Sequence, residues 1–592
     1  MASYVAPVRD IRFALDVQAD LADVLALPGF EHVDSGTVDE LLAEYGRFCE
    51  EVFAPLNRSG DTVTSTYDPT TSKVTTAPGF VNAYKRYIDA GWNAVPFDPA
   101  HGGGGFPWVI NLAMQEMMNS ANLGFALSPL LTQGAIDALT HIGSEAQQET
   151  YLRKMVSGEW TGTMNLTEPQ AGSDVGALTT KAVPAGDGTY RLFGQKIYIT
   201  YGEHDMTSNI IHMVLARIPG APAGTKGISL FIVPKFLVDD NGNPGVANDV
   251  RCVSIEHKLG IKSSPTCVMA YGDSAEGAVG FMLGQENAGM RGMFIMMNNA
   301  RLSVGVQGLA IAERAYQDAV QYAMERVQGR VVAGDAGATI IGHPDVRRML
   351  LMMKSQIEAV RGLTYLNAQA LDTSHHHPDA DVRVRASELA DILTPMSKGW
   401  GTDLGVEIAS LAVQVFGGMG FIEETGVAQH YRDARILPIY EGTNGIQALD
   451  LVGRKLGLRG GAAFGDLLSA IESTVAELST AGLGDMAGAL SLASGEVQKA
   501  ALTLAGSDPT TAMAGATPFL RATSTLVGGW MMARQAIAVH AADDPDGYMA
   551  AKLVTAKFFF EQVLVSVEGL CHQSTAGSAS IMALKPEQFA SR

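Results

Sequence analysis

Two short polar segments have the residue types and spacing to do chemistry. Tyr440–Gly445 (YEGTNG) joins a carboxylate, Glu441, to a glycine turn directly after the apolar run Ile436–Ile439. A carboxylate beside apolar residues is desolvated, which favours its neutral form and suits a group that takes a proton from carbon. A surface acid in a turn would read the same way from spacing alone. Asn165–Val175 (NLTEPQAGSDV) carries hydroxyls at Thr167 and Ser173 and backbone N–H groups able to hydrogen-bond a heterocycle edge or a phosphate. An ordinary loop shares that composition. A third segment, Phe416–Gly420 (FGGMG), lets backbone come close to a ligand or to another helix.

Other constellations fall away. His375, His376 and His377 precede Pro378 in a polar stretch, and three adjacent side chains cannot converge on one metal ion, so a solvated loop is expected. Arg432 and Asp433 read as a structural ion pair near the YEG turn. His101–Pro107 (HGGGGFP) lacks the spacing and the preceding strand of a dinucleotide site and reads as a connector. G-x-S-x-G, H-E-x-x-H and P-loop patterns are absent.

The elements that must position these segments change character along the chain. Thr37-x-x-Glu40 has the form of a capping box, and Leu41, Tyr45, Phe48 and Val52 follow at helical spacing up to Pro55, where the run should stop. Met117–Ile136 is the longest uncharged stretch near the start, but Asn119, Asn122, Pro129 and Gln133 interrupt it; it reads as a buried helix–loop segment, not a membrane span. Tyr190–Thr200, Ile210–Ile218 and Gly227–Val238 are short β-branched and aromatic runs separated by turn residues, the pattern of an antiparallel β domain reaching to about Gly284. Val346, Leu350, Met353, Ile357 and Val360 then form the core stripe of a bundle helix, and Arg301–Gln328 is similarly long. Past Gly460 the chain is rich in small residues yet helical, with Leu553, Ala556, Phe560, Val563, Val567 and Leu570 on one face. The expected fold is α+β, mostly α: a helical N-terminal domain (1–160), a β-barrel-like middle domain (161–284), a four-helix bundle (285–460) and a helical extension (461–592).

Composition sets the bounds. A chain of 592 residues is too long for one hydrophobic core, and 47% hydrophobic with 18% charged residues excludes a disordered chain. The net charge of −20 disfavours nucleic-acid binding. Four dispersed cysteines and no apolar leader point to a cytoplasmic protein without a disulfide framework.

TEPQAGSD, then GQKIYIT about twenty residues later, then QVFGGMGF and YEGTNGIQ, in that order, resemble the acyl-CoA dehydrogenase family over roughly residues 35–460. The resemblance implies FAD as cofactor and an acyl-CoA thioester as substrate. Glu441 matches the family's base; the alternative position used by some members is Ala300 here, immediately before Arg301. Thr167 and Thr200 match hydroxyls on the flavin ring, and Tyr198 stands where many members place a Trp against the flavin face. Ser173 matches a residue at the pyrophosphate, and Thr443 and Gly418 match further cofactor contacts. Arg326 and Gln414 match residues that reach the FAD of a neighbouring subunit, which implies at least a dimer. On the substrate side the resemblance implies Ser173, Asn298, Arg301 and Gly442, with Asn298 replacing an Asp and Gly445 replacing a Gln found in other members. Glu441 would then take the α proton, the β hydrogen would leave as hydride to flavin N5, and the Glu441 N–H would polarise the thioester carbonyl, giving a trans-2-enoyl-CoA. An electron-transfer flavoprotein would be the acceptor; an oxidase using oxygen is the alternative.

Within the family, Tyr4–Leu15, the MNLTEPQAGSD form and Ile446–Leu456 resemble an extended bacterial group, the 3-methylmercaptopropionyl-CoA dehydrogenases of dimethylsulfoniopropionate degradation. Ordinary short-, medium- or long-chain acyl-CoA dehydrogenases of fatty-acid oxidation are the alternative. Met293, Met296 and Met297 would suit a thioether substrate and equally a packed core. From Gly461 onward, seven basic against twelve acidic residues leave a charge of −5, so a DNA-binding flavoprotein is not expected, and no basic amphipathic stripe points to a membrane. The extension is expected to cover the helical domain and favour a homodimer.

Overall fold

The computed structural model describes residues 3–274, 276–331 and 338–590, with residues 298 and 299 described in their backbone only. The chain forms two compact units from non-contiguous stretches: Met1–Leu42 with Pro107–Glu116 and Val304–Arg592, and Ala43–Phe106 with Met117–Ser303.

The second unit contains the β structure. Strands β1 (Thr66–Asp68) and β2 (Lys73–Thr75) pair as a hairpin. Strands β3 (Trp160–Asn165), β4 (Lys181–Pro184), β5 (Tyr190–Thr200), β6 (Asn209–Arg217) and β7 (Ile228–Pro234) follow, then a small pair β8 (Phe236–Val238) and β9 (Pro244–Ala247), then β10 (Val250–Ile255), β11 (Thr266–Tyr271) and β12 (Ala278–Leu283). The main sheet runs β10-β11-β5-β12-β7-β6-β3, with β4 against β5 and β6. Its neighbours are antiparallel except that β4 touches β6 in parallel at one position and β3 pairs with β6 in parallel from Trp160 opposite Asn209 to Asn165 opposite Val214. Short turns between apolar runs suggest hairpins only; the parallel pair arises because the stretch between Asn165 and Asn209 is long enough for a crossover. Met293 and Met296 are fully buried in the core on one side of this sheet, beside Met155, Ile211 and Leu230, so they fill core volume.

Local reading of the N-terminal helices needs two corrections. The helix begins at Ser35, and its cap is Asp34, whose Oδ1 accepts from the Thr37 N–H at 2.7 Å and the Thr37 hydroxyl at 2.8 Å. Nor does Pro55 stop the run: a π turn over Cys49–Phe53 takes up the missing proline N–H, and helix resumes at Ala54–Thr62. The expected helix–loop at Met117–Ile136 is two helices, Trp108–Ala121 and Leu123–Ile142, parted by Asn122, whose side chain caps the second by accepting from Phe125 N at 3.0 Å. All four cysteines are buried and unpaired.

In the first unit the long helices Gly289–Glu325, Pro344–His376 and Ala380–Phe416 form the bundle, the first entering it from Val304. Glycines set the spacing between the 289–325 and 380–416 helices. A Cβ on Gly308 would lie 2.1 Å from the Gly401 oxygen, one on Gly305 2.6 Å from the Ser397 oxygen, and one on Gly405 2.9 Å from the Gly308 oxygen. The two backbones therefore touch without side chains between them. The 380–416 helix is long and apolar enough to cross a bilayer, yet it carries Lys398, fully buried, in its middle. His375 and His376 lie in the last turn of the 344–376 helix rather than in a loop; the His376 ring packs against Phe30 at 4.4 Å between centroids, tilted by 43°. Among the described residues no group of His, Cys, Asp or Glu could hold a metal ion.

The extension comprises Ala462–Thr480, Gly484–Ala505, Pro509–His540, Tyr548–Phe559 and Ser566–Ser574. It is tied to the bundle by buried charge. Glu358, on the 344–376 helix, meets Lys552 at 3.1 Å and Lys354 at 3.0 Å, and accepts from Gln535 Nε2 at 2.8 Å and from the Thr555 hydroxyl. Lys552 also pairs with Asp10 of the first helix at 2.7 Å. Burial pushes the Asp10 carboxyl up, but Lys552 and its neighbours outweigh that and hold it well below the usual range. Residues from both ends of the chain thus neutralise one another inside the same core.

Candidate active site

In the first unit, Glu441 sits on a sharp turn anchored by Asn444. The Asn444 Oδ1 accepts from the Lys398 ammonium at 2.8 Å and from the Thr402 hydroxyl at 3.3 Å; its Nδ2 donates to the Gly399 oxygen at 3.0 Å and to Asp403 Oδ1 at 2.8 Å. These partners lie on the 380–416 helix, whose position the glycine contacts fix. The Asn444 N–H closes the turn on the Pro438 oxygen at 3.0 Å, and the Gln447 side chain donates to the Gly442 oxygen at 3.1 Å. Burial pushes the Asp403 carboxyl up, with the Asn444 amide pulling it back.

Glu441 (φ 54°) and Gly442 (φ 84°) are successive left-handed residues. Glycine tolerates that backbone; for a glutamate it costs about 1–2 kcal/mol, and such strain persists where surrounding bonds over-determine the turn. Glu441 itself is half-buried. Of the apolar run expected to desolvate it, Leu437 is buried and Ile439 is exposed, while Tyr440 donates its buried hydroxyl to Gln307 Oε1. Thr443 occupies the residue before the Asn444–Asp450 helix, where a threonine normally caps, yet its hydroxyl makes no capping bond and is unspent among the described residues.

In the second unit, the TEPQAGSD loop is fastened to strand β5. Glu168 Oε1 accepts from Lys196 Nζ at 2.8 Å and from the Thr180 hydroxyl at 2.6 Å; Oε2 accepts from the Thr179 N–H at 2.7 Å, the Thr179 hydroxyl at 2.8 Å and Gln170 Nε2 at 2.7 Å. Burial raises the Glu168 carboxyl, but Lys196 and these donors bring it down to about 2; burial lowers the Lys196 ammonium to about 8 against the pull of Glu168. Before the loop, β3 is pinned by a buried line in which Tyr271 donates to Asn165 Oδ1 at 2.7 Å, Asn165 Nδ2 to Thr163 at 2.8 Å, and Thr163 meets His212 Nδ1 at 2.8 Å. Desolvation drives His212 down to about 3, so it is neutral.

Strand β5 carries a bulge at the residue of interest. Cys267 of β11 faces Ile199 and Met269 faces Lys196, so three steps on β5 oppose two on β11. Tyr198 lies in that bulge with φ 60° and is 60% exposed. The hydroxyls of Thr167, Ser173, Tyr198 and Thr200 make no hydrogen bond among the described residues.

The remaining expected residues divide by place. Gly418 is exposed with no atom within 4 Å of where a Cβ would be, so packing within the chain does not require glycine there. Arg326 and Gln414 are exposed and unpaired among the described residues. Arg301 is buried with its guanidinium 5.9 Å from the Phe294 ring. The Asn298 side chain lies outside the described residues. At Gly445 nothing lies within 4 Å of a Cβ, so a larger side chain would fit. Arg432 pairs with Glu423 at 3.0 Å. The Glu168–Lys196 and Lys398–Asn444 bonds leave no local signal in the sequence, because their partners are separated by 28 and 46 residues.

Four family models match the chain in order: acyl-CoA dehydrogenase N-terminal domain over residues 38–159, middle domain over 163–274, C-terminal domain over 287–456, and acetyl-CoA dehydrogenase C-terminal like over 467–585. The chain belongs to the acyl-CoA dehydrogenase family and is an FAD-dependent acyl-CoA dehydrogenase. Among its relatives, a 3-methylmercaptopropionyl-CoA dehydrogenase of Ruegeria pomeroyi is 48% identical over 573 residues, covering 95% of this chain and 96% of that one. A butyryl-CoA dehydrogenase of Syntrophomonas wolfei is 34% identical, covering 99% of each. An acyl-CoA dehydrogenase from Bacillus anthracis solved with FAD shares the fold, with a TM-score of 0.74 at 21% identity over 95% of this chain and 91% of that one.

The residues present fit FAD. A flavin needs hydroxyl partners for its ring heteroatoms, a flat aromatic neighbour and N–H donors for its pyrophosphate. The second unit offers three half-buried or exposed hydroxyls with unspent capacity, an aromatic side chain turned out of the sheet surface by a bulge, and the N–H groups of Gly172 and Ser173, which bond nothing among the described residues.

Proposed function

We propose that the chain dehydrogenates 3-(methylthio)propanoyl-CoA to the trans-2-enoyl thioester, with Glu441 taking the α proton. The observation that carries the role of Glu441 is the strained turn: a glutamate held left-handed by an asparagine with four partners, beside a threonine whose hydroxyl is left unspent. A site that tolerates such a backbone trades stability for placement of one carboxylate. Bound FAD supplies the two-electron acceptor. Thr167, Ser173, Tyr198, Thr200, Thr443 and Gly418 hold it in this reading, and Gly442 lets the thioester approach the turn closely. The Glu441 N–H polarises the thioester carbonyl as the α carbon loses its proton, a preorganised contribution made with little water present.

The choice of acyl group rests on similarity to the Ruegeria enzyme over nearly the whole chain, extension included. The likeness to the butyryl-CoA enzyme favours, as second reading, a straight short chain. An electron-transfer flavoprotein accepts the electrons in our reading, on the strength of family membership. Arg326 and Gln414, exposed and unpaired among the described residues, support a homodimer in which each reaches the partner's cofactor.

A panel of acyl-CoAs with an artificial acceptor tests the substrate. The kcat/KM for 3-(methylthio)propanoyl-CoA should exceed that for butanoyl-CoA by about tenfold, the order of one extra chain atom in a fitted pocket, and that for hexadecanoyl-CoA by more. A flat response from four to sixteen carbons removes the sulfur-containing substrate. Peroxide released in place of acceptor reduction would make the enzyme an oxidase.

A further inference from the structure

Both segments expected to face the flavin hang from one buried ion pair. Glu168 follows Thr167 directly, and Lys196 lies two residues before Tyr198 on β5. Besides Glu168, the Lys196 ammonium donates to the Leu166 oxygen at 3.0 Å, and the Ile197 N–H donates to the Thr167 oxygen at 2.9 Å. Residues 166, 167 and 168 are thus each bonded to residue 196 or 197. The loop also closes on itself through paired bonds between Glu168 and Ala171 at 2.9 and 3.1 Å. Neither charged side chain reaches solvent.

For stability alone this pair is a poor choice. Burying two charges costs desolvation that their attraction repays only with good geometry, and an apolar pair of similar volume often serves as well. What an ion pair with several further hydrogen bonds adds is a fixed direction at each atom. Here it fixes the bracket whose outer ends are the Thr167 hydroxyl, unbonded among the described residues, and the bulged, exposed ring of Tyr198.

We propose that Glu168 and Lys196 are positioning residues for the flavin, locking the Thr167 loop and the Tyr198 bulge into one rigid bracket that receives the ring. The inference rests on the FAD-dependent reading of this site and deepens it. Neither residue touches the reacting atoms; each acts through Thr167 and Tyr198.

The test compares wild type with the neutral double variant Glu168→Gln/Lys196→Met, which keeps side-chain volume and removes both charges, and with Lys196→Arg, which keeps charge and alters the fork. Each apoprotein is titrated with FAD for its Kd, and the circular dichroism of the bound flavin is recorded beside thermal unfolding of the apoprotein. Both variants should bind FAD at least tenfold more weakly with an altered flavin dichroism, while Lys196→Arg keeps the apoprotein melting temperature of wild type. FAD affinity and dichroism unchanged in Lys196→Arg would overturn the inference, whether or not the double variant folds. Wild-type protein that takes up no FAD would instead overturn the cofactor reading on which it stands.

Discussion

Replacing Glu441 by Gln is expected to leave a folded, yellow protein that no longer bleaches with acyl-CoA. The substitution keeps size and hydrogen-bonding shape, so the left-handed turn, held by Asn444 through Lys398, Gly399, Thr402 and Asp403, stays in place. What it removes is the basicity of the oxygen that receives the α proton, since an amide oxygen accepts hydrogen bonds but is far too weak a base to take a proton from carbon. A positioned base contributes about 10²–10⁴-fold in rate, and no second carboxylate stands at Ala300 to substitute, so turnover should fall by at least about 10³-fold. Rapid-mixing absorbance of the flavin together with product analysis measures both consequences. Retained turnover would take the role away from Glu441; loss of colour would mean that the turn, not the base, had been disturbed.

Gly308→Val carries the largest expected effect on stability. Its Cβ would sit 2.1 Å from the Gly401 carbonyl oxygen, and that atom belongs to a backbone which cannot rotate away as a flexible side chain would. The 289–325 and 380–416 helices would have to separate, with loss of packing along both. A cost of at least about 4 kcal/mol is expected, in the range reserved for severe core defects, so the variant should unfold at much lower denaturant or fail to accumulate as soluble protein. Because Lys398, Thr402 and Asp403 ride on the displaced helix, any folded fraction should also lose activity. A wild-type unfolding midpoint would show that the glycine contact carries no such constraint.

How much of this was legible in the sequence follows from the range of each interaction. The NLTEPQAGSDV and YEGTNG segments could be read because their chemistry is local: polar atoms, glycines and a carboxylate within a few residues. Helices and β runs could be read because apolar spacing is a local property too. The helix start reads three residues late from sequence because Thr37 and Asp34 are both good caps, and only the folded chain shows Thr37 donating to Asp34. Pro55 misled because a π turn can absorb a missing N–H, which no spacing rule announces. Glu168, Lys196, Lys398 and Asn444 stood in view as ordinary polar residues; their pairing depends on strands and helices brought together by the fold. The bulge that turns Tyr198 outward is likewise invisible until β5 and β11 are set in register. Residue types named the chemistry, and long-range packing supplied its geometry.

The most direct measurement is anaerobic mixing of the FAD-loaded protein with 3-(methylthio)propanoyl-CoA carrying deuterium at the α carbon, followed by flavin absorbance. If Glu441 removes the α proton as the flavin accepts electrons, the visible band bleaches, the rate falls several-fold against the undeuterated thioester, and one trans-2-enoyl-CoA forms per flavin. A chain that binds no FAD, or a flavin that bleaches equally fast in wild type and Glu441→Gln with no isotope effect, would contradict it.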